Sequence, residues 1–309
     1  MSKTHVYDMI IVGGGPGGYT AAIYAASAGL DTLVLEKLSA GGQMALSEEI
    51  NNYPGFEEGV DGYTLAEKMQ RQAERFSART VYAEVERMEL AAEPKVLETS
   101  EGVFYARTVA LATGAGPREL GLADEAELVG RGVAYCAACD GMRYRGKTVV
   151  VVGGGNSAAG DALALSRIAE KVILVHRRDK LRATKAYDRP LSQAGNIEFR
   201  WNSAVVELLH GDKLSGVRLR DVNTGEETEL ACDGVFISVG RKPATELVKG
   251  QLELDKNGYI AADETTKTSL PGVYAVGDVR TKALRQVVTA VADGAAAVHM
   301  AEEYLAGGE

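Results

Sequence analysis

The sequence predicts an α/β fold made of two Rossmann-like nucleotide-binding domains of the ββα type with β-meanders, one domain inserted into the other. Three observations predict it. A unit of strand, glycine turn, helix and strand near the N-terminus reappears in the middle of the chain. Each copy is followed by short strands separated by turn formers. A Cys-x-x-Cys pair stands just ahead of the second copy.

In the first copy the apolar run Tyr7 to Val12 leads into Gly13-Gly14-Gly15-Pro16-Gly17-Gly18. A small-residue helix is expected from about Tyr19 to Ala28, then a strand from Thr32 to Leu35 ending at Glu36. Gly13, Gly15 and Gly18 fill the glycine positions of G-x-G-x-x-G in the context that motif requires. Such a turn lets backbone approach a pyrophosphate, which rests on the helix N-terminus and its partial positive charge. Glu36 follows Gly13 by 23 residues, where a carboxylate accepts hydrogen bonds from an adenosine ribose. This copy reads as an FAD site. The turn-rich stretch Gly41 to Asp61 is expected to form a polar loop lying over a bound ring. Thr80 to Leu90 and Lys95 to Thr99 read as meander strands, and Val109 to Gly114 as the return strand.

The second copy starts with Lys147 to Val152 and turns at Gly153-Gly154-Gly155-Asn156-Ser157-Ala158. Its helix is expected to run to about Ala169 and its second strand from Lys171 to Val175. The position matching Glu36 is His176, followed by Arg177 and Arg178, with Arg182 close behind. A carboxylate there favours a free 2′-hydroxyl, whereas guanidinium groups grip a 2′-phosphate bidentately. Two charge-assisted bonds of about 1.5–3 kcal/mol each would favour NADPH over NADH by roughly 100-fold or more. The second copy therefore reads as an NADPH site. Glu198 to Leu209 and Gly216 to Asp221 give its meander, and Val235 to Gly240 its return strand.

Beyond Gly240 no third unit begins. A strand ending at Gly277-Asp278 precedes an alanine-rich helix from about Gln286 to Ala306. The simplest reading returns this tail to the first domain. The expected organisation is residues 1–116 for the first part of the FAD domain, 117–246 for the NADPH domain with the cysteine pair, and 247–309 for the second part of the FAD domain.

Hydrophobic content of 46% with 25% charged residues is that of a soluble globular chain. A formal charge of −9 argues against nucleic acid or an anionic membrane as the main partner. The N-terminal apolar stretch is broken by the glycine run, so neither a membrane span nor a signal peptide is expected, and cytoplasm is the default location. Three cysteines do not form a secreted disulfide framework. Cys136 and Cys139 lie near a helix start, where they can close a small disulfide and where the helix dipole favours thiolate. Asp140 follows as an acid/base candidate. A structural zinc site needs four ligands. Only Cys232 and four histidines without ligand spacing (His5, His176, His210, His299) remain, so a redox disulfide is the favoured reading and no metal is expected.

Together the segments GGGPGGYTAAIYAA, GGQ at Gly41, ATG at Ala112, GRGVAYCAACDG, GGGNSA, HRRDKLRA and PGVYAVGDV resemble the low-molecular-weight bacterial thioredoxin reductases. The likeness runs over nearly the whole chain. It implies a homodimer that passes electrons from NADPH through FAD to the Cys136–Cys139 disulfide and on to thioredoxin or a thioredoxin-like protein. Cys139 matches the cysteine nearer the flavin, Cys136 the one that attacks thioredoxin, and Asp140 the proton donor. The resemblance assigns Gly13, Gly15, Gly18, Glu36, Gly42, Gln43, Asn52, Thr113, Gly114, Gly277, Asp278, Arg285 and Gln286 to FAD. It assigns Gly153, Gly155, Asn156, Ser157, His176, Arg177, Arg178 and Arg182 to NADPH. It also implies rotation of the domains about hinges near residues 116 and 246. Gly160 stands where the family carries one of two acids, and Met142-Arg143 where it carries two phenylalanines, which points to a more acidic or differently shaped partner. Competing readings are a same-fold reductase drawing on ferredoxin or serving a peroxiredoxin system, and a non-catalytic flavin redox sensor. The basic cluster argues against ferredoxin, which needs no 2′-phosphate clamp.

Overall fold

The structure, a computed structural model, describes residues 5–47 and 49–307. The chain divides into two compact units, one of residues 1–116 and 242–309, the other of residues 117–241.

The first unit opens with β1 (Val6–Val12), α1 (Pro16–Ser27) and β2 (Thr32–Glu36), followed by α2 (Gly62–Arg75) and β3 (Arg79–Tyr82). Strands β4 (Val85–Glu89) and β5 (Lys95–Thr99) form an antiparallel meander with the first part of β6 (Gly102–Leu111). The expected strand Thr80 to Leu90 is thus two strands. Ala83 still donates to Glu36 O (2.8 Å), and the chain then leaves β2 to pair with β5. β1 alternates faces at a period of two: Met9 and Ile11 pack with α1, α2 and the last helix, while Ile10 and Val12 face the meander.

A short β7 (Ala115–Pro117) leads into the second unit, with β8 (Val133–Ala134), α3 (Ala137–Asp140), β9 (Thr148–Val152), α4 (Asn156–Ser166), β10 (Lys171–Val175) and α5 (Asp188–Gln193). Next come β11 (Ile197–Arg200), the meander β12 (Ser203–His210), β13 (Leu214–Asp221), β14 (Glu227–Ala231), and β15 (Gly234–Ile237). A parallel sheet runs β11-β10-β9-β15-β8. It reverses direction of build between β9 and β15, the crevice in which such sheets take ligands. β16 (Arg241–Pro243) pairs with β7 as the chain leaves. β17 (Val273–Ala275) then adds to β6, completing a seven-stranded sheet, and α6 (Val287–Leu305) packs on α1. That packing is close: a Cβ on Gly294 would stand 2.4 Å from Gly17 O.

Candidate active site

Each glycine turn joins the first strand of its repeated unit to a helix, as the sequence predicts. Gly13 has φ 105°, and a Cβ there would stand 2.5 Å from Ala112 O, so only glycine fits. The N-caps of α1 and α4 are Gly15 and Gly155, neither helix has a side-chain cap, and open space lies where their Cβ atoms would be. First-turn N–H groups without a capping side chain beside an open glycine make the cradle a pyrophosphate needs. Glu36 stands at the end of β2 with Oε2 accepting from Gly14 N (2.6 Å) and Oε1 from Leu38 N (3.2 Å).

Several of the residues matched to FAD meet around this turn. Gly41 N donates to Gly14 O (2.7 Å), which brings Gly42 beside Gly15, with the exposed Gln43 next in the chain. Asn52 Nδ2 donates to Gln286 Oε1 (3.0 Å), joining the loop to the N-cap of α6. Arg285 donates to Asp278 O (3.4 Å) and stacks on Tyr259 at 4.0 Å. Gly277 opens the turn that carries Asp278. Thr113 N lies beside Gly13, while Thr113 Oγ1 donates to Ala244 O (2.7 Å) and Gly114 O accepts from Ala244 N (3.0 Å). The stretch from Gly41 to Asp61 is less of a free polar loop than expected: Met44 and Ile50 are buried in the core, and Ile50 bridges Val60.

In the second unit the basic run separates. Arg177 and Arg178 are exposed, whereas the His176 ring is 5% exposed and covers Gly154. Burial, then the nearby Arg182, Arg178 and Arg177, push the His176 pKa below its usual value, so its imidazole is neutral at pH 7. Its buried Nε2 has no hydrogen-bond partner among the described residues. The ring takes the place against Gly154 that the Glu36 carboxylate takes against Gly14. Arg182 N donates to Gly154 O (2.6 Å) and Thr184 N to Asn156 Oδ1 (2.8 Å), which straps the arginine-bearing loop to the glycine turn. Ser157 is exposed in the first turn of α4.

Cys136 and Cys139 are joined as a disulfide with Cα atoms 5.3 Å apart. Cys136 is the N-cap of α3, and its carbonyl accepts from Cys139 N (3.2 Å) and Asp140 N (3.0 Å). Ala137, Gly141 and Tyr144 form a buried stripe at helical spacing, with Tyr144 edge-on to Phe236 at 5.1 Å. The stripe seats this segment on the core and leaves Cys136, Cys139 and Asp140 half-buried on its other side.

The sequence reading passed over Glu125. Its carboxylate, 3% exposed, accepts from Leu120, Gly121 and Leu122 N and from Tyr135 Oη at 2.7 Å, and so anchors the residue before Cys136. One acid among Glu119, Asp124, Glu125 and Glu127 gives no signal of this. Cys232 is buried, its thiol pushed up to about 12 by burial and Asp233, and is inert at neutral pH. No group able to hold a metal is present among the described residues.

The two glycine turns and the disulfide define a flavin- and nicotinamide-dependent disulfide oxidoreductase. The family model for pyridine nucleotide-disulphide oxidoreductases matches residues 7–294, and the chain belongs to that family. It is 44% identical over 299 residues to a thioredoxin reductase of Treponema pallidum (strain Nichols), covering 97% of each chain. It is 45% identical over 304 residues to one from Streptomyces clavuligerus, covering 97% of this chain and 94% of that protein. The crystal structure of thioredoxin reductase from Streptococcus pyogenes MGAS5005 superposes with a TM-score of 0.89 at 42% identity, over 98% of this chain and 99% of that one. Members of this kind use FAD and NADPH, and the open glycine cradles fit both nucleotides. No helix among the described residues is long and apolar enough to cross a membrane.

Proposed function

We propose that the chain is an NADPH-dependent thioredoxin-disulfide reductase, active as a cytoplasmic homodimer, with thioredoxin or a thioredoxin-like protein as its electron acceptor. The observation that carries this is a closed, half-buried Cys136–Cys139 disulfide in the unit that also bears the arginine-flanked glycine turn.

Residues 1–116 and 242–309 then form the FAD domain and residues 117–241 the NADPH domain. FAD, when bound, supplies an electron pair taken as hydride from NADPH. The N–H groups opening α1 would hold its pyrophosphate, Glu36 the adenosine ribose, and Asp278 a hydroxyl of the ribityl chain. Gly42, Gln43, Asn52, Arg285 and Gln286 line the same site, with Thr113 and Gly114 at its edge. For NADPH, Gly153, Gly155, Asn156 and Ser157 form the pyrophosphate turn, and Arg177, Arg178 and Arg182 grip the 2′-phosphate. His176, neutral and buried, supports the turn from below.

The electron pair enters the disulfide at Cys139, the S–S bond breaks, and Cys136 leaves as thiolate. Cys136 attacks the acceptor disulfide and expels one of its sulfurs. Cys139, as thiolate, attacks Cys136 in the resulting mixed disulfide, which restores the Cys136–Cys139 bond and expels the acceptor's second sulfur. Asp140 is the proton donor to a departing sulfur, and solvent supplies the other proton of the released dithiol. The test is an anaerobic titration of the purified protein with NADPH and then NADH, followed at the visible absorbance of the flavin. Prompt bleaching by NADPH and slow bleaching by NADH is expected. Bleaching by neither, with ferredoxin effective instead, would overturn the electron-donor assignment.

A further inference from the structure

Beneath the Gly277-Asp278 turn lies a charged cluster that the proposed reaction leaves unused. The buried stripe of α6 reads Ala290, Asp293, Gly294, Ala297, Val298 and Ala301, so an aspartate sits among small apolar residues. Asp293 Oδ2 accepts from Gly277 N (2.8 Å), Arg280 Nε (3.1 Å) and Lys282 Nζ (2.7 Å), and Oδ1 from Arg280 Nη2 (2.9 Å). Arg280 also donates to the carbonyls of Ala262 and Thr281, at 3.2 and 2.8 Å. Lys282 also donates to Thr289 O in the first turn of α6 (3.1 Å). The three side chains are only 8%, 7% and 8% exposed for Arg280, Lys282 and Asp293.

Two buried cations share one buried carboxylate. Asp263, which Arg280 also influences, is exposed, and Asp278 is half-buried in the turn itself. A buried pair without excess charge is the cheaper arrangement, because an uncompensated charge costs several kcal/mol of desolvation. The Arg280–Asp293 pair alone would anchor the turn. The excess charge of Lys282 needs another reason. It lies at the N-terminal turn of α6, whose dipole adds positive potential at the same place, and that turn packs on the start of α1.

We propose that Lys282, held by Asp293, raises the reduction potential of the FAD bound in this unit by favouring the negative charge that flavin gains on reduction. The proposal rests on the reading of this unit as the FAD domain. Charge near a flavin ring is a lever by which proteins set its electronics. Asp293 and Arg280 act as positioning residues for the Gly277-Asp278 turn.

The test measures the flavin midpoint potential by equilibration against reference dyes. It uses the FAD-loaded full-length chain in a background with both Cys136 and Cys139 replaced by serine, so that flavin is the sole two-electron acceptor. Lys282→Met, which leaves Asp293 paired with Arg280, should shift the equilibrium about tenfold toward oxidised flavin, or about 30 mV for a two-electron couple. Lys282→Arg should stay near the parent value. Asp293→Asn, which removes the negative charge, should shift it the other way. If Asp293→Asn does not retain FAD, the two Lys282 variants decide. Unchanged potentials, or Met and Asn shifts of the same sign, would overturn the proposal. Failure of the parent chain to bind FAD would instead refute the domain assignment.

Discussion

Gly154→Ala tests how the second nucleotide turn is built. A methyl group at this position would stand 2.1 Å from His176 Cε1, 2.3 Å from Nδ1 and 2.4 Å from Nε2. Ordinary contact begins at 3.4 Å, so the buried ring has to retreat by about 1.3 Å. The corresponding change at Gly14 meets Glu36 Oε2 and Tyr19 Cε2 at 3.0 Å, which a few tenths of an ångström relieve. Overpacking of this kind costs about 1–3 kcal/mol, or roughly 3–10 °C of melting temperature for a domain of this size. Because Arg182 N and Thr184 N are strapped to Gly154 O and Asn156, displacement of the turn also moves the arginine loop. An ångström of misplacement in a positioning element costs on the order of 100-fold, so the NADPH KM should rise by that order while FAD content is unchanged. The assay pairs thermal melts with flavin stoichiometry and NADPH kinetics. Adding His176→Ala to Gly154→Ala should recover much of the lost stability, since the clash is between these two groups. Additive losses in the double variant, or a harmless Gly154→Ala, would refute the reasoning.

Replacing Arg177 and Arg178 together by alanine should raise the KM for NADPH roughly 100-fold, from about 1.5–3 kcal/mol per charge-assisted bond, and leave that for NADH within about threefold. Equal losses on both nucleotides in steady-state assays would mean the pair does not read the 2′-phosphate. Folded His176 binds a proton less readily than the unfolded chain, so its contribution is intact above about pH 6.5 and is lost as pH falls below that value. Melting temperatures at pH 7.5 and 5.5 should therefore fall less in His176→Asn than in the parent, and identical falls would contradict the burial argument.

Much of this architecture is legible because backbone chemistry writes itself into sequence. A turn that leaves helix N–H groups open needs glycines at fixed spacing, and both turns stand where the sequence puts them. Strand edges are less legible. The single run expected from Thr80 to Leu90 bends after Ala83 because the chain changes partner, which no local pattern encodes. β8 is only Val133–Ala134, too short for periodicity, yet it delivers Tyr135 and the cysteines. The His176-Arg177-Arg178 run reads as one basic cluster until burial separates the neutral ring from the exposed guanidiniums. Glu125 lies outside every motif and acts through three backbone N–H groups of its own loop and the hydroxyl of Tyr135. Asp293, by contrast, left a readable sign: an acid on the apolar stripe of an alanine-rich helix requires buried cations.

The most direct measurement is Cys136→Ser assayed in two halves, flavin bleaching by NADPH and NADPH-driven reduction of thioredoxin. The account predicts that bleaching persists while thioredoxin reduction is abolished, because Cys139 alone has no sulfur partner through which to pass electrons outward. Thioredoxin turnover at the parent rate in this variant would contradict it.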